Sequence, residues 1–571
     1  MNAFPPSATP GGDAAPLQAA SPGAPTRGPG SENFPVASLL LARAVRPKVL
    51  AFYRFVRAAD DIADHPRMDR AEKLARLDAL EAALDDPRTA LPEAVGMHAE
   101  AMDPAEARRM LSAFRQDATQ NRYEDWAGLQ DYCARSAAPV GRMLLRLHGT
   151  TDPAALAASD ALCEALQILN HLQDLVPDRD ALDRVYLPTP WMAPAGGEAG
   201  FFAPENAAPR RAVLDAALDR VEEALDRAAA LPRLIASRRL GLEAAVTLNC
   251  ALRLLARLRA ADPVLGRVAL SRADFSAALL AAPRRGVADA AVVRARVARS
   301  GSSFARGMAA LKGERRRGLW GVYAFCRAVD DIADGATPEE EKRRFLGEWR
   351  GKLVSPDCAL SRELAWARAR FDLPHDECEA MIAGMETDAA PRVRLPDEAA
   401  LDLYCRRVAG SVGAMAVRLF GAADAGAFGL ALGRTFQLVN ILRDVDEDAE
   451  RDRVYIPLSL LGEDAPAAEL LARPALARAC EALGEQAREG FRRAEAELAE
   501  LDARAMRPAR VMMWGYERLL ERLLRRGFAQ RGERPRLTRG EKLRMAWFAL
   551  GGPMGAPGAG AATREREARA A

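Results

Sequence analysis

The chain has 571 residues, 49% hydrophobic and 28% charged, a balance that fits packed domains and excludes a wholly disordered chain. A formal net charge of +2 supplies no basic field for nucleic acid, and five histidines with no HExxH or close pair exclude a His-built zinc site. Eight cysteines without a CxxC read as reduced thiols of a cytoplasmic protein. In chain order, residues 1–30 are rich in Pro, Gly, Ala and Ser and read as a disordered tail. Residues 31–282 and 297–550 are dominated by Ala, Leu, Arg and Glu with helical periodicity, as in Arg211–Ala230 and Ala475–Leu501. A linker is expected at 283–296, and residues 551–571 read as a second tail. The start shows no basic-then-apolar leader, and no run is apolar enough to span a bilayer. The fold class is all-α.

An internal repeat organises the chain. The run Arg57-Ala-Ala-Asp60-Asp61-Ile-Ala-Asp64 recurs as Arg327-Ala-Val-Asp330-Asp331-Ile-Ala-Asp334, and Gln167-Ile-Leu-Asn170-His-Leu-Gln-Asp174 recurs as Gln437-Leu-Val-Asn440-Ile-Leu-Arg-Asp444, both at an offset of 270. Tyr132-Cys recurs as Tyr404-Cys, and Arg-Val-Tyr186-Leu-Pro as Arg-Val-Tyr455-Ile-Pro. A period this long means two homologous domains, not a solenoid.

The repeated motifs carry chemistry. Asp330 and Asp334 are i and i+4 and share a helix face. Like carboxylates there repel and are costly to bury, and a hard divalent cation compensates them, Mg²⁺ with phosphate oxygens above all. One such motif alone fits a solvated acidic helix end. The second cluster weighs against that: Gln437, Asn440, Asp444 and Asp448 form one polar stripe flanked by Phe436, Leu438, Val439, Ile441 and Leu442. Two acidic helices facing a cavity would hold Mg²⁺ ions against a diphosphate, with Arg327 and Arg443 adding positive charge.

These residues, with Ser302-Ser303-Phe304, Tyr323, Tyr404-Cys-x-x-Val-Ala-Gly-Ser-Val-Gly413 and Arg453-Val-Tyr455-Ile-Pro457, resemble the all-α isoprenoid synthases that join prenyl diphosphates head to head: squalene, phytoene and dehydrosqualene synthases. The resemblance implies two tandem helical bundles, each around a central cavity. The opening Glu32-Asn-Phe-Pro-Val-Ala-Ser38 resembles the hydroxysqualene synthase type, and Ser300-Gly-Ser-Ser-Phe304 the presqualene diphosphate synthase type. The implied metal ligands are Asp330, Asp331, Asp334, Asn440, Asp444 and Asp448, and in the first repeat Asp60, Asp61, Asp64, Asn170, Asp174 and Asp178. Ser302, Ser303, Gln437, Gln167, Arg443 and Arg453 would lie at diphosphate. Tyr404, Tyr516, Arg327, Tyr132 and Arg57 would serve the reaction, although for Tyr516 a buried aromatic with a satisfied hydroxyl explains the residue equally well.

The resemblance implies that the C-terminal repeat condenses two farnesyl diphosphates to presqualene diphosphate and that the N-terminal repeat ionises this and adds water, giving hydroxysqualene in a hopanoid or squalene route. The cofactor is Mg²⁺, with no nicotinamide or flavin, so reduction falls to a separate redox enzyme. The alternative is that the C-terminal repeat makes phytoene or dehydrosqualene while the N-terminal repeat only stabilises it. The N-terminal repeat departs from its sister at Gln173, His171 and Pro177, and Pro177 is expected to kink or end its helix and turn Asp178 away from Asp174. That fits either a retuned site or a decayed copy. Arg522–Arg544, with Trp547 beyond, reads as a peripheral contact with anionic lipid at the inner membrane face or as a solvated helix end.

Overall fold

The computed structural model describes residues 43–284, 289–299, 311–529, 534–550 and 552. The Glu32–Ser38 opening, Ser302 and Ser303 lie outside them. The chain is all-α as expected. Among the described residues the only strands are Val393–Arg394 and Arg453–Val454, two residues each, paired in parallel. No helix there is long and apolar enough to cross a membrane.

The chain packs as two compact units, residues 1–120 and 121–571. The first holds helices Arg46–Ala63, Arg70–Ala83, Pro92–Ala99 and Ala105–Asp117. Phe52, Phe55, Leu77 and Leu111 form their buried faces. Helix Arg46–Ala63 carries Asp60 and Asp61 in its last turn, and Asp64 closes it.

The second unit contains the rest of the N-terminal repeat and all the described residues of the C-terminal one. Helix Asp289–Arg299 begins within the expected linker, 283–296, and runs past its end. Helix Gly313–Asp334, the first acidic helix, buries Leu319, Val322, Phe325 and Val329, spaced at three and four residues, and so fixes which way its aspartates turn. Helix Gly426–Ala449, the second acidic helix, packs along Ser411–Phe420 and Pro474–Glu500. Its approach to Ser411–Phe420 depends on glycine. A Cβ at Gly413 would lie 2.0 Å from the Gly429 carbonyl oxygen, and one at Gly433 would lie 2.2 Å from the Ala409 carbonyl oxygen. A single π turn, Arg406–Gly410, lies at this crossing. Such turns often mark functional sites.

Helix Glu339–Val354 of the C-terminal repeat lies against N-terminal-repeat residues of the same unit. Glu341 accepts hydrogen bonds from the Trp126 backbone N–H at 2.7 Å and from the Trp191 indole N–H. The two indoles stack at 5.1 Å. The Arg220 guanidinium lies 3.8 Å over the Phe345 ring and pairs with Glu348 at 2.8 Å and Glu223 at 3.1 Å. Lys352 reaches Glu223 at 3.3 Å. Arg220 and Lys352 hold the Glu223 carboxyl, against the cost of burial, down at about 2.

Replacement of Gly413 by Ala sets a methyl group against backbone that cannot yield. Urea unfolding should show a loss of roughly 1–3 kcal/mol for Gly413→Ala, where an ordinary helical Gly→Ala change is stabilising.

Candidate active site

The first acidic helix brings four charged groups to one end. Arg327 pairs with Asp330 at 2.9 Å and with Asp331 at 2.7 Å, at i+3 and i+4. Burial, reinforced by the neighbouring Asp334 carboxylate, pushes the Asp330 carboxyl up to about 7. Burial also raises Asp331, against the pull of Arg327. Asp334 is the exception. Burial pushes its carboxyl up, but Arg453 at 2.6 Å and Arg451 at 2.8 Å outweigh that and hold it below the ordinary range.

The second acidic helix carries the expected stripe on one continuous helix. Asn440 donates to Gln437 Oε1 at 3.3 Å, while Asn440 Oδ1 is buried and finds no hydrogen-bond partner among the described residues. Arg443 makes a bidentate pair with Asp444 at 2.8 and 2.6 Å, and Arg534 donates to the same carboxylate at 2.7 Å. Burial and the Asp444 charge push Asp448 up to about 7, with Asp334 adding to the push across from the first acidic helix. The two clusters therefore share one electrostatic environment.

Gln437 and Asn440 also border a cavity of about 200 Å³. Its wall is apolar, built from Val408, Val412, Leu432 and Phe436 and the glycines of the helix crossing. Tyr516 lines it as well, its ring stacked 4.3 Å from Phe436 and its hydroxyl near Asn440 and Arg443.

Tyr404 is buried, with its hydroxyl donating to Asp388 Oδ2 at 2.9 Å. Tyr455 donates to Asp388 Oδ1 at 2.6 Å, and the two rings stack at 4.7 Å. Arg453 completes the node by donating to the Asp388 carbonyl at 2.7 Å and the Ala333 carbonyl at 3.1 Å. Burial raises the Asp388 carboxyl to about 6. Asp388 escaped the sequence analysis, although Asp117-Ala recurs as Asp388-Ala at a separation of 271, between the 270 of the acidic motifs and the 272 of the Tyr-Cys pairs. Lys342 and Arg451 also escaped it. Burial lowers the Lys342 ammonium to about 8, with Arg453 adding to the fall.

In the first unit, Arg57 pairs with Asp60 at 2.9 Å and Asp61 at 2.7 Å, repeating the Arg327 arrangement. Burial and the Asp64 charge raise Asp60 to about 8, and Asp117 adds to this. In the second unit, Pro153–Gln173 ends at Asp174, and a separate helix, Leu175–Leu182, carries Pro177 in its first turn. Asp178 stands 3.7 Å from His171 Nδ1, and Asp174 lies 3.4 Å from Arg267. Gln167 Nε2 lies 3.1 Å from His171 Nε2, and the His171 ring stacks on Tyr186 at 3.6 Å. Tyr132 joins this cluster 5.5 Å from Tyr186.

Among the described residues no group of three or more His, Cys, Asp or Glu side chains is gathered into a preformed metal cage. The donor set nevertheless fits Mg²⁺, which binds through one or two carboxylates and completes its shell with water and phosphate oxygens. Asp330 and Asp448 are half-buried carboxylates, raised by desolvation and by the carboxylates beside them, and the unpartnered Asn440 Oδ1 stands on the same helix as Asp448. Asp330, Asp448 and Asp444, with Asn440, are the residues that would hold the ion.

The squalene/phytoene synthase family model matches the chain twice, at residues 28–274 and 297–541. The chain belongs to this family. A hydroxysqualene synthase from Rhodopseudomonas palustris is 42% identical over 249 residues, 43% of this chain and 85% of that protein. A presqualene diphosphate synthase from the same organism is 40% identical over 240 residues, 40% of this chain and 86% of that protein. Relatives of these two kinds match different halves of the chain.

The raised carboxylates set a pH dependence. Asp60, Asp330 and Asp448 bind protons more tightly folded than unfolded, so their contribution to stability is complete in acid and is lost as pH rises through about 7 to 8. A bound Mg²⁺ would take the place of those protons. Scanning fluorimetry should show Mg²⁺ raising the melting temperature more at pH 8 than at pH 6, and equal shifts at both would contradict this assignment.

Proposed function

We propose that the chain is a bifunctional, Mg²⁺-dependent prenyl transferase built from two tandem domains, residues 31–282 and 297–550, joined through 283–296. The C-terminal domain joins two farnesyl diphosphates to presqualene diphosphate, releasing one diphosphate and one proton. The N-terminal domain ionises that product and adds water, releasing the second diphosphate and a proton to give hydroxysqualene. The observation that carries this reading is the doubling of both acidic motifs at one spacing, in a chain whose two halves match relatives of the two corresponding kinds.

In the C-terminal domain, Asp330, Asp331, Asp334, Asn440, Asp444 and Asp448 form the metal-facing set. Bound Mg²⁺ would supply Lewis acidity to the departing diphosphate. Lys342, Arg327, Arg443 and Arg451 add cationic charge at the rim, and Arg453 locks Asp334 to the Asp388 node. The apolar cavity, with Tyr516 at its wall, excludes water from a cationic intermediate. Tyr404, held by Asp388 as a neutral phenol, positions the floor of the site beside Tyr455. In the N-terminal domain the residues that correspond in sequence are Arg57, Asp60, Asp61 and Asp64 in the first unit, and Tyr132, Gln167, Asn170 and Asp174 in the second. Asp178, turned toward His171, pairs there with a group its sister site lacks, which suits a site that accepts water. The same observation favours a second reading, in which this domain only stabilises its partner. In both readings a separate redox enzyme acts downstream, and the chain itself uses no nicotinamide or flavin.

Full-length protein given labelled farnesyl diphosphate and Mg²⁺, with products identified by mass spectrometry, separates the readings. Asp60→Ala with Asp64→Ala should accumulate presqualene diphosphate. Asp330→Ala with Asp334→Ala should lower consumption of farnesyl diphosphate by roughly 10²-fold or more while leaving hydration of supplied presqualene diphosphate intact. Accumulation of presqualene diphosphate by the parent chain would favour the stabilising module instead.

A further inference from the structure

Each repeat ends in a short helix of the same design. Leu270-Ser-Arg-Ala-Asp274 opens helix Arg272–Ala281, and Leu537-Thr-Arg-Gly-Glu541 opens helix Arg539–Ala549. Both carry a full capping box, Ser271 with Asp274 and Thr538 with Glu541. This fixes the start of each helix and hence the direction of its faces.

Both helices turn large apolar side chains outward. Of twelve exposed large hydrophobic residues among the described ones, six belong to these helices and their caps: Phe275, Leu279, Leu280, Leu543, Trp547 and Leu550. Leu280 is 81% exposed, Leu543 73%, Trp547 60% and Leu550 77%. Leu543, Trp547 and Leu550 fall at i, i+4 and i+7, one stripe. The opposite side of the C-terminal helix is also apolar, with Met545 and Phe548 packed against Val511 and Trp514. The N-terminal-repeat helix buries only the small Ala278 and points its larger residues away. A helix apolar on both sides belongs between two apolar media, and here the protein supplies only one.

The charge around the stripes selects the second medium. Arg539 and Arg544 are exposed beside Leu543 and Trp547, and Arg272 beside Phe275. The nearby acids are already committed: Glu541 to Arg522 at 2.6 Å, and Asp274 to Arg257 at 2.6 Å. What remains outward is apolar and basic, with a tryptophan at the boundary, the composition of an element lying in the headgroup region of an anionic bilayer.

We infer that the chain docks peripherally on anionic membrane through this pair of equivalent helices, Arg272–Ala281 and Arg539–Ala549. This narrows the basic run expected from sequence to its last part, Arg539–Arg544, continues it to Ala549, and adds a second helix from the N-terminal repeat. Within that run Arg522 and Arg534 are taken up by Glu541, Asp444 and Glu447. The surface suits release of an apolar product, a point that rests on the proposed function, whereas the docking itself does not.

The test is sedimentation of the full chain with vesicles of phosphatidylcholine alone and of an equal mixture with phosphatidylglycerol. The parent should pellet with the anionic vesicles and far less with the neutral ones. Leu543→Ser with Trp547→Ser, and separately Leu279→Ser with Leu280→Ser, should each lower the partition coefficient by about tenfold or more, and all four together should abolish binding. Lipids brominated in the acyl chain should quench parent fluorescence, and less so in Trp547→Phe. Circular dichroism melting and turnover in detergent, unchanged in the variants, show that the fold and chemistry survive. No pelleting of the parent, or equal pelleting of the fourfold variant, overturns the inference. So does a fourfold variant that loses self-association in solution but keeps its vesicle binding, which would assign the patch to a second copy. Failure of docking with prenyl transfer intact would reject this inference alone.

Discussion

The constraint on which the site depends is that like charges are crowded together at half-buried positions. Asp330 and Asp448 are half-buried beside other carboxylates, and desolvation together with those neighbours holds each well above the ordinary carboxylate range. A fold tolerates this only if the cost is local and something else offsets it. Here the offsets are uneven by design. Asp334 is fully paired by Arg453 and Arg451, and Asp444 by Arg443 and Arg534, while Asp330 shares Arg327 with Asp331. The paired carboxylates fix the helix ends. The under-compensated ones keep an affinity for further positive charge.

The second acidic helix shows how one element serves three purposes along its length. At Gly429 and Gly433 it has no side chain, and a neighbouring backbone closes on it. One to two turns later Gln437 and Asn440 present neutral amides to an apolar cavity. Two turns beyond come Asp444 and Asp448. The order matters for the proposed substrate, because a hydrocarbon chain and a diphosphate need opposite surroundings, and a single rigid helix would hold both at a fixed distance. Tyr516 sits where the two environments meet, its ring against Phe436 and its hydroxyl toward Asn440.

Much of this was legible in the sequence because it is local and periodic. Asp330 with Asp334, and Gln437 through Asp448, follow from helical spacing, and their doubling follows from the repeat. What escaped were residues whose roles arise from tertiary approach. Asp388 ends a helix far in sequence from Tyr404, Tyr455 and Arg453, and only the fold makes it their common acceptor. Lys342 and Arg451 are unremarkable in composition and gain meaning from Asp334. Glu341 and Lys352, which no sequence motif singles out, are buried against Trp126, Trp191 and Glu223. Ion pairs between distant segments leave no periodic trace.

The two repeats diverge where one helix was interrupted. In the C-terminal repeat the second acidic helix runs unbroken through Asp448, which keeps the Asp444 and Asp448 charges within reach of one another. In the N-terminal repeat Pro177 cannot donate a backbone hydrogen bond, and the helix ends at Gln173. Asp178 then approaches His171, whose ring rests on Tyr186 beside Tyr132. At the equivalent position the sister site has Ile441, which offers neither a proton nor a charge. An imidazole beside a carboxylate, among tyrosine rings, thus stands where the sister repeat has an aliphatic side chain. The single proline therefore changes more than helix direction. Where one repeat sets two carboxylates along a single helix, the other sets a carboxylate 3.7 Å from an imidazole.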